Sequence, residues 1–352
     1  MADGVAADSA PRAGSAPLDA VPVIDISGYF SGDPALKRAI AREIDAACRS
    51  IGFLVIAGHG VPAGLIARLE ETVRAYFAQP PELKRQDKTR DPAVYRGYYE
   101  VGTVAVAYAY SGDERDAAVP DYLERFSNNR VEIDPADPYY ATEQGRRIFA
   151  PNIWPAGVPG FEAVWTEYYR AMERLAQTLM RLFALALDLD ERWFDDKIDK
   201  HMTNMSANWY PDQVVPPRPG QLRIGAHTDY GSLTILKAED KPGGLEVRVA
   251  DGTWHKVPIV PGTLIVNLGD LMAQWTNDRW VSTMHRVVNP PRERVGAAAR
   301  LSVAFFHQPN YDALVECLPG CRDGGRAKYP PVTSGDHLIM KLTKMQEGAK
   351  RR

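Results

Sequence analysis

A chain of 352 residues, 45% of them hydrophobic and 25% charged, holds enough apolar side chains for one large core or two modest ones. Its 42 basic and 45 acidic residues leave a net charge of −3 with no long run of either sign, which argues against nucleic acid or an anionic membrane as partner and for a small molecule. Cys48, Cys317 and Cys321 lack the spacing of a zinc site or disulfide framework, no basic-then-apolar leader opens the chain, and no stretch reaches the ~18 apolar residues of a membrane span. A cytoplasmic protein is expected.

Residues 1–20 are Ala, Gly, Ser, Pro and Asp without periodicity and read as a disordered lead-in. Val23-Ile24-Asp25-Ile26 is a short strand. Leu36, Ile40, Ile44, Ala47, Cys48 and Ile51 then recur at helical spacing until Gly52, and Phe53-Leu54-Val55-Ile56 reads as a buried strand. The turn Gly58-His59-Gly60-Val61-Pro62 leads into a second amphipathic helix carrying Leu65, Leu69, Val73, Tyr76 and Phe77. His59, between two glycines, reads as a local hydrogen-bonding residue rather than a ligand. From Tyr95 to Asn129 the chain is aromatic and irregular. Its tyrosines, Tyr108 and Tyr110 among them, suit either the mouth of a pocket or packing on the structure beneath. Residues 160–187 form the longest helix, with an apolar stripe from Phe161 to Leu187 that belongs to the core.

From about Met202 the pattern alternates for a hundred residues, punctuated by Pro242-Gly243-Gly244, Asp251-Gly252, Pro261-Gly262 and Asn277-Asp278. Many short, closely spaced strands imply a barrel or sandwich, so the chain is α+β. A last helix is expected from about Gly335.

The chemistry concentrates in this alternating region. In Gly225-Ala226-His227-Thr228-Asp229 an imidazole and a carboxylate lie two residues apart, where a strand directs both to one face. His285 lies 56 residues beyond Asp229 (285 − 229) beside another apolar alternation. Two His and one carboxylate on one side of a metal leave the other side open, the ligand set of non-haem Fe(II) oxygenases. In the run from Arg300 to Gln308, Arg300, Ser302, Phe306 and Gln308 share a face. Arg suits a bidentate grip on a carboxylate, to which a Ser hydroxyl adds a hydrogen bond. Asn208 and Tyr210 likewise lie two apart, and both offer hydrogen bonds.

With these motifs in order the chain resembles the isopenicillin N synthase-like group of Fe(II)- and 2-oxoglutarate-dependent dioxygenases. The resemblance runs from about Val21 to about Met345. It is carried by Pro22-Val23-Ile24-Asp25-Ile26, Gly52-Phe53 through Pro62, His227-Thr228-Asp229, Gly243-Gly244-Leu245, Val266-Asn267-Leu268-Gly269-Asp270, His285-Arg286-Val287 and Arg300-Leu301-Ser302. It implies a double-stranded β-helix, or distorted jelly roll, with flanking helices. The corresponding domains are an N-terminal region at 21–135 packed on the barrel, helical support at 136–200, the catalytic barrel at 201–315 and a C-terminal segment with a helix at 316–352.

By the same likeness His227, Asp229 and His285 would hold Fe(II), and Arg300 and Ser302 would receive the 5-carboxylate of 2-oxoglutarate with help from Tyr210 and Asn208. O2 would be the oxidant, with release of succinate and CO2. Oxidation of a small-molecule metabolite by hydroxylation, desaturation, ring closure or epoxidation would follow. Phe306, Gln308, Tyr108 and Tyr110 are the candidates for substrate contact. Arg300 stands 15 residues beyond His285 (300 − 285), a longer gap than relatives commonly have, which makes Arg292 and Arg294 rivals for the carboxylate. Arg300 is preferred because only it has Ser302 and a strand beyond it. Two other functions remain open at this point: an oxidase of the same family that does not use 2-oxoglutarate, and a non-catalytic barrel that only binds a ligand. His255 is expected to be exposed, His201 and His337 have no evident partner in sequence, and Asp270 suits a turn cap.

Overall fold

Asp33 starts the first α-helix of the described residues by accepting the Ala35 amide at 2.7 Å, with Pro34 at the first helical position. In the computed structural model, which describes residues 21–91, 94–107, 119–322 and 324–350, this helix is α1 (Pro34–Ser50). The lead-in expected at 1–20, and Tyr108 and Tyr110, lie outside the described residues. Helix α1 connects two parallel strands, β1 (Val23–Asp25) and β2 (Phe53–Ala57). It buries Ile40, Ala41, Ile44, Ala47 and Cys48, the face its apolar spacing predicts. The helix stops where Gly52 takes φ +65° and donates its amide to Ala47 O; a Cβ there would stand 2.0 Å from Val281 O.

The helices form an outer layer. Helix α2 (Ala63–Phe77) and the long α3 (Phe161–Ala186) pack on the same face of the main sheet, where Trp165, Tyr168, Tyr169, Met172, Leu175, Leu179 and Phe183 of α3 are all buried. Each such side chain contributes roughly 1.5–3 kcal/mol through the area it removes from water.

The remaining strands are β3 (Gly97–Tyr99), β4 (Glu124–Asn128), β5 (Asn204–Tyr210), β6 (Ile224–His227), β7 (Leu233–Ala238), β8 (Gly244–Arg248), β9 (Trp254–Lys256), β10 (Leu264–Leu268), β11 (His285–Val288), β12 (Arg300–His307), β13 (Leu314–Val315) and β14 (Val332–Thr333). Eight of them form one sheet in the order β1-β2-β10-β7-β12-β5-β4-β3, four form a second in the order β6-β11-β8-β9, and β13 pairs with β14. The inner faces of the two larger sheets meet over a second core. Phe53, Val55, Tyr210, Ala238 and Ile265 come from the large sheet, and Ile224, Leu245, Val247 and Val287 from the small one. This is the expected α+β arrangement, a two-sheet jelly-roll barrel with helices outside.

Two features depart from the expectation. The stretch from Tyr95 to Asn129, expected to be irregular, contains β3 and β4, which extend the large sheet past β5. Their Gly-Tyr-Tyr and Glu-Arg-Phe-Ser-Asn sequences are too short and polar to declare themselves; pairing with β5 makes them strands. Asp270 is also not merely a turn residue. It opens a short helix, α4 (Asp270–Trp275), where it accepts from Ser282 Oγ at 2.9 Å and from Lys341 Nζ at 2.8 Å. Lys341 belongs to the last helix, α5 (Ser334–Lys350), so this ion pair ties the C-terminal helix to the barrel.

Candidate active site

Cross-strand pairing brings the first two candidate ligands together: His227 ends β6, His285 begins β11, and the two are direct partners with ring centroids 4.2 Å apart. Asp229 follows two residues after His227. Its Oδ1 stands 3.7 Å from His227 Nε2 and 3.7 Å from His285 Nε2. One ligand atom from each of the three residues lies within 4.8 Å of the other two, the only such cluster of His, Cys, Asp or Glu among the described residues.

Each imidazole is oriented by its own backbone. His227 Nδ1 lies 2.8 Å from Gly225 O and His285 Nδ1 lies 3.0 Å from Thr283 O. A ring that donates Nδ1–H to a carbonyl presents Nε2 as a lone pair, the tautomer a metal needs. The carboxylate is oriented too: Thr234 Oγ1 and Asn267 Nδ2 donate to Asp229 Oδ2 at 2.5 and 2.7 Å, which leaves Oδ1 facing the imidazoles. Burial, followed by the repulsion of His285, holds the His227 imidazole below its ordinary pKa, so the ring is neutral and ready to bind. Burial by itself would raise the Asp229 carboxyl. The two imidazoles and the hydrogen bonds from Asn267 and Thr234 outweigh it and hold the group below the usual carboxylate range. The donor set, its protonation and its one-sided convergence fit a divalent iron with open positions.

The loop after Asp229 is held by backbone contact with the end of β10. Asp270 N donates to Asp229 O at 2.8 Å and Gly269 N to Ser232 O at 3.1 Å. The approach demands glycine, because a Cβ on Gly269 would sit 2.3 Å from Gly231 O.

Arg300 and Ser302 lie on β12, paired in register with Tyr210 and Asn208 of β5. All four side chains are buried. Tyr210 Oη is 3.5 Å from Ser302 Oγ, and the Arg300 guanidinium lies 5.3 Å from the Tyr210 ring centre. Arg300 Nε donates to Glu239 O at 3.0 Å, whereas Nη1 is buried with no partner. A buried guanidinium N–H left unpaired is costly unless an acceptor arrives, so this end of the barrel is prepared for an anion. The rivals are not: Arg292 and Arg294 lie on an exposed turn, and Arg292 donates to Gln213 O at 2.8 Å. A second buried arginine, Arg223, lies 5.5 Å from the same Tyr210 ring but spends Nη1 and Nη2 on the carbonyls of Pro242 and Ala298. Burial and then the Arg300 charge push it down to about 10.

Next to the metal ligands opens a cavity of about 120 Å³. Phe306 and Gln308 line it, as their shared face with Arg300 suggests, and Tyr230, Leu338 and Leu342 add apolar wall. Tyr108 and Tyr110 lie outside the described residues. The other histidines do not reach the metal cluster. His59 Nδ1 accepts the Val61 amide at 3.1 Å, His255 is exposed, and His201 finds a partner that sequence did not reveal, Glu173 at 2.8 Å.

Sequence reasoning passed over three contributors. Thr234 and Asn267 orient Asp229, and the signal for Asn267 was its polar amide inside the apolar run Leu264-Ile265-Val266-Asn267-Leu268. Arg125 also lines the cavity, and nothing in its local sequence marks it; Tyr95, one of the tyrosines that the sequence offered for a pocket mouth, lines it too.

Comparison with known proteins agrees with this geometry. Residues 21–157 match the family described as the N-terminal region of non-haem dioxygenases in morphine synthesis, and residues 201–309 match the 2OG-Fe(II) oxygenase superfamily. The chain is 33% identical over 337 residues to validamycin A dioxygenase of Streptomyces hygroscopicus subsp. limoneus, covering 92% of this chain and 86% of that protein. It is 32% identical over 341 residues to a homoarginine-6-hydroxylase of Oryza sativa subsp. japonica, covering 92% and 96%. The crystal structure of a full-length Neurospora crassa protein in complex with alpha-KG and thymine superposes with a TM-score of 0.80 at 30% identity, over 94% of this chain and 98% of that one. The chain belongs to the 2OG-Fe(II) oxygenase superfamily and is a non-haem, Fe(II)- and 2-oxoglutarate-dependent oxygenase of small molecules.

Proposed function

We propose that His227, Asp229 and His285 hold the Fe(II), that Arg300, Ser302 and Tyr210 receive the 5-carboxylate of 2-oxoglutarate with Asn208 beside them, and that Phe306 and Gln308 contact the primary substrate. The observation that carries this assignment is the meeting of the three ligand atoms within 4.8 Å, on a barrel whose buried Arg300 has an unpaired N–H. When bound, Fe(II) supplies the redox chemistry that couples O2 and the decarboxylation of 2-oxoglutarate, to succinate and CO2, to oxidation of a C–H bond.

The chain's own part is positioning and exclusion of water. The carbonyls of Gly225 and Thr283 fix two rings, Thr234 and Asn267 fix one carboxylate, and the buried guanidinium of Arg300 sets the direction from which the co-substrate enters. The cavity walls of Phe306, Leu338 and Leu342 keep the reacting carbon in apolar surroundings.

In this reading residues 201–315 form the catalytic barrel, 21–135 pack on it, 136–200 support it and 316–352 close it with α5. The free thiols of Cys48, Cys317 and Cys321 support a reducing, cytoplasmic setting. Relatives named for validamycin A and homoarginine support a metabolite as substrate. The test is succinate formation from 2-oxoglutarate with Fe(II) and O2. The wild type releases succinate, Asp229→Ala releases none, and Arg300→Gln needs far more 2-oxoglutarate. Unchanged co-substrate demand in Arg300→Gln would remove Arg300 from the site.

A further inference from the structure

Arg125 is a buried cation on the wall of the cavity, and the assignments above do not use it. It lies on β4, 6% exposed, and lines the same cavity as His227, Asp229 and Phe306. Its Nε donates to Asn208 Oδ1 at 2.7 Å and its Nη1 to Tyr95 Oη at 2.5 Å. Both partners are neutral. Among the described residues no carboxylate forms an ion pair with Arg125; Asp121, the carboxylate that acts on it through space, receives the backbone amides of Gly225 and Val106 at 2.8 and 3.0 Å. Among the described residues the charge is therefore desolvated with no ion-paired counter-ion, an arrangement that is costly unless an anion completes it.

Register places this cation relative to the co-substrate residues. Arg125 pairs with Asn208, and Asn208 pairs with Ser302, so the three stand in one row across the inner face of the large sheet. Arg300 has its own companions, Tyr210 and Ser302, at the other side of Asn208. The two guanidiniums thus have different neighbours, and Arg125, unlike Arg300, lines the cavity walled by Phe306, Leu338 and Leu342.

We infer that the primary substrate is a small organic acid, whose carboxylate docks on Arg125 with Tyr95 beside it while its apolar body lies against Phe306, Leu338 and Leu342 next to the iron ligands. The inference rests on the assignment of Arg300 to 2-oxoglutarate and deepens it by naming the substrate class. Arg125 selects for the acid; Asn208 takes its Nε and Tyr95 its Nη1, which leaves Nη2 for the incoming group.

The test uses the full chain loaded anaerobically with Fe(II) and saturating 2-oxoglutarate, titrated calorimetrically with two matched probe pairs, benzoate against benzamide and hexanoate against hexanamide. Each acid is expected to bind about tenfold or more tighter than its amide, the preference one charge-assisted contact confers. In Arg125→Gln the ratio falls to about one, in Arg125→Lys it is reduced but kept, and the visible band of the iron–2-oxoglutarate complex persists in both. Equal or absent binding of acid and amide by the wild type, which needs no variant to be read, overturns the inference. So does an acid that displaces 2-oxoglutarate, or loss of the 2-oxoglutarate band in Arg125→Gln, since either assigns Arg125 to the co-substrate. If the wild type gives no band at all while the metal-free protein still prefers the acids, the iron and co-substrate assignment fails and the acid site stands.

Discussion

Asn267 donates its side-chain amide to Asp229 Oδ2 at 2.7 Å across 38 residues of sequence, and so decides which carboxylate oxygen remains for the metal. Asn267→Leu removes that donor while keeping an apolar strand residue in the run. Thr234 alone then holds Oδ2, the carboxylate gains freedom to turn, and iron affinity is expected to drop by about 10–100-fold, the usual effect of losing a residue that orients a ligand. Competition with a chromophoric Fe(II) chelator reads it. Wild-type affinity in the variant would show that Thr234 suffices.

Arg300 and Ser302 differ in what they offer an anion, and their variants should differ accordingly. Loss of a charge-assisted bond costs about 1.5–3 kcal/mol, so Arg300→Gln is expected to weaken 2-oxoglutarate binding by about 10–150-fold. Ser302→Ala removes a neutral bond of about 0.5–1.5 kcal/mol and should weaken binding by roughly 2–12-fold. Arg292, exposed and bonded to Gln213 O, serves as the control: Arg292→Gln leaves the affinity alone. A larger effect at Arg292 than at Arg300 would reverse the assignment.

Helix α5 is predicted to loosen in acid. Burial, and after it the charge of Lys341, lowers the His337 imidazole from 6.5 to about 4, and His337 Nε2 is buried with no partner. A depressed folded-state pKa means that the unfolded chain binds the proton more readily. The stability this group contributes is complete above pH 6.5 and is lost as the pH falls toward 4. Amide hydrogen exchange in α5, corrected for the intrinsic pH dependence, should therefore show less protection at pH 5 than at pH 7, and His337→Phe should blunt the difference. Equal protection at both values would mean that His337 protonates without strain.

Gly231 is a point where the metal loop cannot accept a side chain. A Cβ there would lie 2.2 Å from His307 O and 2.9 Å from the Gln308 amide. Gly231→Ala must push the loop bearing Asp229 away from β12, at a cost of about 1–3 kcal/mol in stability. Reduced iron affinity together with a lowered Tm is the expected pair of results. A lowered Tm with unchanged iron binding would show that the strain is absorbed elsewhere.

The site was legible in proportion to how locally its residues are spaced. Arg300 and Ser302 are two apart on β12, where strand alternation puts both on one face. His227 and Asp229 are also two apart, but β6 ends at His227, and the loop held by Asp270 N and Gly269 N brings Asp229 back to the imidazoles. That His285 joins them depends on pairing between β6 and β11, for which only its place beside an apolar alternation gave a sign. Arg125 was invisible for a physical reason. Its strand has no hydrophobic alternation of its own, and only pairing with β5 turns its guanidinium toward the cavity. His201 and Glu173 show the same limit, because a partner on α3 cannot be read from the sequence around either.

The measurement that bears most directly on the iron and co-substrate assignment is an anaerobic titration of the protein with Fe(II) and 2-oxoglutarate, followed by visible absorption, in the wild type and in His227→Ala, Asp229→Ala and His285→Ala. One equivalent of each additive should produce a charge-transfer band in the wild type, and each variant should lose the band along with tight iron binding. A wild type without the band, or a His227→Ala protein that binds iron and 2-oxoglutarate as the wild type does, would contradict a centre built from these three side chains.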